Sequence, residues 1–558
     1  MVARFAELDL SVGAVANETM GYIFEELLRR FSEMSKETAG EHFTPRDVIR
    51  LMVNILFAGD DDALTGAKPV RTLYDPACGT GGMLSVAQDR LRQMNRNAVL
   101  KVYGQEINAE TWAVCRSDLM IKGQDPDQIV LGNSLTEEDG HIGQRFDYAL
   151  ANPPFGVDWK KYADKVKAEQ EHGTRYEPGL PRVSDGSLLF LMQMLSKMKP
   201  VTGKATAGTG SGGTRLAIVF SGSPLFAGSA GGGESEIRRW IIEKDWLEAI
   251  VALPDQLFYN TGISTYFWVL SNRKAPERLG KVVLVDARES WTKMRKSLGD
   301  KRKYLAEDQI SEVSRLYDEA VALVGADKRV KVFDREAFGY QRITVERPLR
   351  RHWELTTDAI DGLVFEKAWS GWLTPPKGVA DGAEWVHGVE QAQAGLLEAL
   401  RLVVGEVEAT EAAYRKRLAQ VYGEASIDVP DKVAKLVLGA AAVPDPEAPV
   451  ITDRKGQPLP DADLRDNENV VLPAGWLDLG EAQRDRALVD QAEQHLTAEI
   501  RPYAPDAWID HTKTRVGYEI PFTRHFYEYV TPRPLAEIDA DLAEIERQIQ
   551  QLLGGLAR

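Results

Sequence analysis

At 558 residues the chain has length for two or three domains and a large apolar core. Two cysteines, Cys78 and Cys115, are too few for a disulfide framework or a cysteine zinc site, and the eight histidines lack metal-pair spacing, so no metal is expected. A net charge of −16 excludes a chain that grips nucleic acid by bulk charge alone; with no leader-like N-terminus and no 18-residue apolar run, a cytoplasmic protein without a membrane span is expected.

Val15, Met20, Ile23, Phe24, Leu27, Leu28 and Phe31 recur at helical spacing, which predicts an amphipathic packing helix over 15–34. Thr44 offers a cap hydroxyl, Pro45 suits a first helical position and Asp47 supplies an early acid, so a second helix is expected to begin here. Strands and helices then alternate: strand 72–75, helix 83–95, strand 99–106, helix 109–121, strand 128–132 and strand 146–151. That alternation predicts an α/β fold with a doubly wound parallel sheet. Between the first strand and its helix lies Asp75-Pro76-Ala77-Cys78-Gly79-Thr80-Gly81-Gly82, whose glycines let the backbone approach a ligand. The second strand ends on Glu106, the position that bonds ribose hydroxyls in this topology.

The strand 146–151 ends in Asn152-Pro153-Pro154-Phe155, where two prolines stop further pairing. Asn152 offers a neutral side-chain carbonyl, and Pro153, lacking an N–H, offers only a backbone carbonyl, so two acceptors can converge on one amino group. Pulling on both amine hydrogens favours a pyramidal nitrogen with its lone pair exposed, and Phe155 gives a flat face for a base taken out of a duplex. The chemistry implied is alkylation of an amino nitrogen.

Further along, an apolar helix over 187–195 and a strand over 215–220 read as core. Glycine-rich stretches at 201–213 and 228–233 lack the ending of a phosphate loop and read as surface loops. Residues 263–270 form an aromatic-rich strand on which alternation turns only one of Tyr266 and Phe267 to any given face. Arg288 to Lys303 holds a local excess of base, including Arg295, Lys296, Lys301, Arg302 and Lys303, interleaved with Trp291; phosphate contact is expected, against the alternative of a solvated basic helix. Finally Leu535, Ile538, Leu542, Ile545, Ile549 and Leu552 alternate three and four apart, the seam of a helix that pairs with a partner helix or folds back on its own core.

Taken together, Asp75 to Leu84 and Asn152 to Phe155 resemble the amino-group (N6-adenine) DNA methyltransferases that use S-adenosylmethionine. Three further blocks, Gly40 to Ile49, Leu253 to Ile263 and Val516 to Arg524, resemble the modification subunit of Type I restriction-modification systems. The resemblance implies a Rossmann-like catalytic domain over 41–290, preceded by a helical region over 1–40. A mostly helical region follows over 291–530, with an insertion at about 360–500, and a partner-binding helix over 531–558. It implies that Asp75, Ala77, Gly79, Thr80, Gly81, Gly82 and Glu106 hold S-adenosylmethionine, with Phe43 and Thr44 closing over its methionine end. Asn133 falls where related enzymes hold the adenine of the cofactor, many of them with Asp. Asn152, Pro153, Pro154 and Phe155 would carry the reaction, and Tyr266 or Phe267 would wall the target base. Implied partners are double-stranded DNA, a specificity subunit binding two copies of this chain through the terminal helix, and an endonuclease/translocase subunit. Two rivals are a protein glutamine methyltransferase, since a primary amide suits the same two acceptors, and a non-catalytic scaffold that keeps the fold.

Overall fold

The computed structural model describes residues 44–60, 65–202, 211–259, 261–377, 381–529 and 531–556, with Asp9 and Ala14 besides. The expected helix over 15–34 and Phe43 lie outside the described residues. Two compact units divide the chain: residues 1–340 with 516–558, and residues 341–515. The boundary expected near 290 falls inside the first of them.

The first unit opens with α1 (Arg46–Phe57), β1 (Val70–Asp75), α2 (Gly82–Met94), β2 (Val99–Glu106), α3 (Ala109–Ile121), β3 (Ile129–Leu131) and β4 (Tyr148–Ala151). It continues with α4 (Ala163–Glu171), α5 (Ser187–Ser196), β5 (Arg215–Phe220), α6 (Gly233–Glu243), β6 (Leu247–Ala252), β7 (Tyr266–Ser271) and β8 (Lys281–Asp286). Then come β9 (Thr292–Leu298), β10 (Lys301–Tyr304), α7 (Glu307–Asp318), β11 (Val330–Asp334) and, after the second unit, α8 (Leu535–Leu556). Nine strands make one sheet in the order β11-β8-β6-β7-β5-β4-β1-β2-β3. From β5 to β3 the strands run parallel. Strand β7 is antiparallel to both neighbours, as is β11 to β8, so the expected parallel sheet is mixed. The connection from β6 to β7 contains no helix among its described residues, and without a crossover the chain returns alongside in the opposite sense.

Apolar residues of α1, α2 and α7 share one core with alternate residues of the strands, among them Leu73, Val102, Leu150, Val219 and Val269. Tyr74 takes the opposite face, where its hydroxyl accepts from Gln193 of α5 at 3.2 Å. Helices therefore cover both faces, as a doubly wound Rossmann-like sheet requires. Because β1 is flanked by both β2 and β4, the order reverses at β1, and a crevice opens at the carboxyl ends of these strands.

The second unit is mostly helical. Its larger core gathers Trp353, Leu396, Leu400, Tyr414 and Val437; a smaller one holds Ile343, Val345, Ala492 and Leu496. It carries 20 Lys and Arg against 30 Asp and Glu, so most of the chain's net negative charge lies in it.

Candidate active site

A cavity of about 510 Å³ occupies that crevice, a volume within the usual range for small-molecule sites. Each adjacent strand contributes residues at or just past its carboxyl end: β1 gives Asp75, Ala77, Gly79, Thr80 and Gly82; β2 gives Glu106; β3 gives Asn133; β4 gives Asn152 and Pro154. Thr44, just before α1, also lines it. Pro45 rather than Thr44 occupies the cap position of α1, and its ring has no acceptor to cap with; Asp47 accepts from Lys301 Nζ at 3.3 Å and Leu305 N at 2.8 Å.

The glycine turn is organised by two carboxyls. Asp75 is buried and accepts from Ala77 N at 3.0 Å. Burial pushes its carboxyl up to about 8, opposed by the Ala77 N–H and assisted by the negative Glu106. Glu106 accepts from Gly79 N at 3.0 Å through one oxygen and from Asn108 N at 2.8 Å through the other, tying β2 to the turn and to the start of α3. Gly81 is absent from the cavity wall. It sits at φ 81° as the residue before α2, and a Cβ there would lie 2.6 Å from the Cys115 sulfur. Its role is to bend the turn, which only glycine does without strain.

Asn133 is buried; its side-chain carbonyl accepts from Leu135 N at 3.0 Å, which fixes the amide orientation. Its Nδ2 is buried and has no hydrogen-bond partner among the described residues. A ligand acceptor would satisfy it, and with the bent glycine turn and a paired Glu106 carboxylate this donor set fits a nucleoside-containing cofactor.

Asn152 is buried and borders the same cavity. Pro153 is buried outside the cavity wall, and Phe155 is half-buried against the core beneath β4. Phe267 is fully buried in the central core with Val219 and Val251, so it cannot face a base, and its candidacy as a pocket wall is withdrawn. Tyr266 takes the opposite face, edge-on to Phe522 at 5.3 Å, and neither residue lines the cavity.

The basic stretch is a β-hairpin of β9 and β10, not a helix. Arg295, Lys296 and Arg302 are exposed on it. Lys301 is not: it is buried, ion-paired with Asp47, and donates to Leu257 O at 2.9 Å. Lys303 is held by Asp255 at 2.5 Å and lies 4.0 Å over the Trp291 ring. These two lysines hold the hairpin to the loop after β6, and phosphate contact through them is corrected. In α8, Leu535, Ile538, Leu542, Ile545 and Ile549 are all exposed, so this stretch of the seam does not fold back on the core; the side chain of Leu552 lies outside the described residues.

Sequence reasoning missed a whole wall. Val157, Asp158, Trp159, Tyr162, Gly186 and Phe190 line the cavity from the segment after the Asn-Pro-Pro-Phe turn and from α5. Ile107, exposed to 54% yet directly after Glu106, and Asn108 complete it. The signal available in the sequence was an isoleucine placed directly after the strand-end carboxylate Glu106. No three His, Cys, Asp or Glu side chains gather as a metal site among the described residues.

Residues 15–341 match a family model described as N-6 DNA Methylase. The Type I restriction enzyme MjaIX methylase subunit of Methanocaldococcus jannaschii is 27% identical over 318 residues, covering 56% of this chain and 51% of that protein. The Type I restriction enzyme HindI methylase subunit of Haemophilus influenzae is 30% identical over 277 residues, covering 49% and 55%. A solved methyltransferase subunit of a Type I restriction-modification system from Streptococcus thermophilus aligns at 25% identity and a TM-score of 0.45, over 59% of this chain and 63% of that one. The chain spans about half the length of the curated relatives it matches.

Proposed function

Because the chain belongs to the N-6 DNA methylase family, we propose that it is the methylating subunit of a Type I restriction-modification enzyme, acting on N6 of an adenine turned out of the duplex. The observation that carries this reading is one cavity shared by the glycine turn, Glu106 and Asn133 on one side and Asn152 and Pro154 on the other. S-adenosylmethionine, the cofactor proposed, supplies an electrophilic methyl on a sulfonium. Asp75, Ala77, Gly79, Thr80, Gly82, Glu106 and Asn133 would hold it, with Thr44 and Phe43 toward its methionine end.

In the proposed reaction Asn152 accepts one amino hydrogen through its side-chain carbonyl and the Pro153 carbonyl accepts the other, while Phe155 stacks the base. The amine nitrogen so oriented would take the methyl as the methyl–sulfur bond breaks and the sulfonium leaves as a neutral thioether, and the extra proton, acidic on an alkylated aromatic amine, would depart to solvent after transfer. No side chain needs to act as a base; positioning and exclusion of water provide the acceleration.

Arg295, Lys296 and Arg302 on the β9–β10 hairpin are the proposed phosphate contacts. The exposed seam of α8 is the proposed dock for a specificity subunit carrying two copies of this chain, with an endonuclease/translocase subunit joining that assembly. No described helix is long and apolar enough to cross a membrane, and the cytoplasm is the proposed location. The test is transfer of labelled methyl from S-adenosylmethionine to DNA, with and without the specificity subunit, followed by nucleoside analysis. N6-methyladenine formed only with the partner is expected; equal activity from the chain alone would place target recognition within it and contradict the assembly reading.

A further inference from the structure

The segment from Gly156 to Gly186 joins the Asn-Pro-Pro-Phe turn to α5 and touches both ends of the cavity's chemistry. Its first residues line the cavity, Trp159 and Tyr162 among them. Its later part reaches the loop after β3. There Arg175 donates through Nη1 to Ser134 O at 2.8 Å and through Nη2 to Thr136 O at 3.0 Å. The hydroxyl of Tyr176 donates to the carbonyl between them, Leu135 O, at 2.9 Å. Two consecutive side chains therefore hold three consecutive carbonyls.

The guanidinium is itself aimed. Glu169 of α4 accepts from Nε at 2.8 Å and from Nη2 at 2.7 Å, a bidentate pair, and Gln193 of α5 accepts from Nη1. The Arg175 side chain is 10% exposed, so these bonds are made largely out of water, where a planar fork gives direction as well as strength. The loop so held places Asn133, Ser134 and Leu135 in the cavity wall. Within residues 133–136 the other side-chain tie to a neighbouring element is Ser134 Oγ donating to Pro76 O at 2.8 Å; the loop's later part is held separately, with Glu138 O accepting from Gln105 Nε2 at 2.8 Å and Asp139 ion-paired with Lys197.

We propose that Arg175, with Tyr176, is a positioning residue for the cofactor: it fixes residues 133–136 in the shape that receives the adenine end of a nucleoside ligand. The segment that begins at the base-handling turn thus also sets the cofactor's adenine subsite. This inference rests on the reading of the cavity as an S-adenosylmethionine site.

The experiment measures equilibrium binding of S-adenosylmethionine and of adenosine to the full chain as wild type, R175M, R175K and Y176F. The number of sites and the thermal unfolding midpoint are recorded for each, and turnover is followed at saturating cofactor with DNA and partner. In R175M the dissociation constant for both ligands should rise about tenfold or more, because two carbonyls lose a charged donor. R175K should recover part of the loss, and turnover at saturation should stay near wild type. Fewer binding sites with an unchanged dissociation constant would mean a merely structural role and overturn the proposal. Should R175M fail to fold, Y176F decides: a several-fold weaker adenosine affinity supports positioning, and wild-type affinity overturns it. If the wild-type chain binds neither ligand, the cofactor reading of the cavity falls, a result distinct from wild-type affinity in every variant.

Discussion

Asp75 and Asn152 lie in one cavity wall but answer to different physics. Asp75 is a buried carboxyl raised from the ordinary 3.8 to about 8. In the free protein the folded state holds this proton more tightly than the unfolded chain, so the Asp75 contribution to stability declines as pH rises from 3.8 to about 8. A cation bound beside it favours the charged form, so cofactor binding should release a proton in that window. Calorimetry in two buffers of different ionisation heat would register the release, and net proton uptake would contradict it. Asn152, by contrast, contacts only the substrate amine in the proposed reaction. Asn152→Ala should lower methyl transfer by about two to three orders of magnitude, the usual cost of one preorganised polar contact, with cofactor affinity unchanged. Loss of cofactor binding in a folded Asn152→Ala chain would refute that role. Both residues were legible in the sequence because each ends a short apolar strand. What no local pattern carried was the tertiary partner: Asp47 is 254 residues from Lys301, so a count of neighbouring charges made an internal anchor look like a phosphate contact.

At the level of elements, the hairpin and the returning segment after residue 515 show where pattern reading fails. In β9, Thr292 to Leu298 carries three bases in seven residues, and they hide the alternation that marks a strand. The hairpin separates two kinds of cation. Replacing Arg295, Lys296 and Arg302 together with alanine should weaken DNA binding and flatten its dependence on salt by up to about three units of slope, read from binding titrations over a range of salt. Lys301→Met should leave the slope alone and cost about 3 to 5 kcal/mol of stability, since it strands a shielded Asp47; a changed slope with unchanged stability would reverse the assignment. The block from Val516 to Arg524, legible only as a family likeness, has a structural task. Arg238 of α6, fully buried, donates to Tyr518 O, Pro224 O and Ala227 O at 2.6–2.9 Å, and Ile520 N donates to Leu225 O. Gly517 permits that closure: a Cβ there would lie 2.6 Å from the Tyr340 ring and 2.8 Å from Ala230. Gly517→Ala should therefore destabilise the first unit by about 1 to 3 kcal/mol in denaturant unfolding, and a neutral result would show that Tyr340 can yield.

For the molecule as a whole, the alternation of strands and helices up to residue 155 made the sheet legible, whereas the wall from 157 to 186 follows no apolar period and emerged only in three dimensions. The exposed α8 seam predicts that truncation before Pro534 leaves thermal unfolding and cofactor binding intact while abolishing assembly. A truncated chain that still co-purifies with the specificity subunit would rule out the dock. The first unit is assembled from both sides of the second in sequence: Glu519 N donates to Phe338 O at 3.0 Å, so the chain departs and returns at one place. A ribosome therefore finishes residues 341–515 before it delivers the strap that Arg238 and Tyr340 receive. Throughout that interval the nascent sheet waits with Arg238 lacking the carbonyl of Tyr518, and early folding of the intervening unit, by drawing its own ends together, lowers the entropy of the loop that must close.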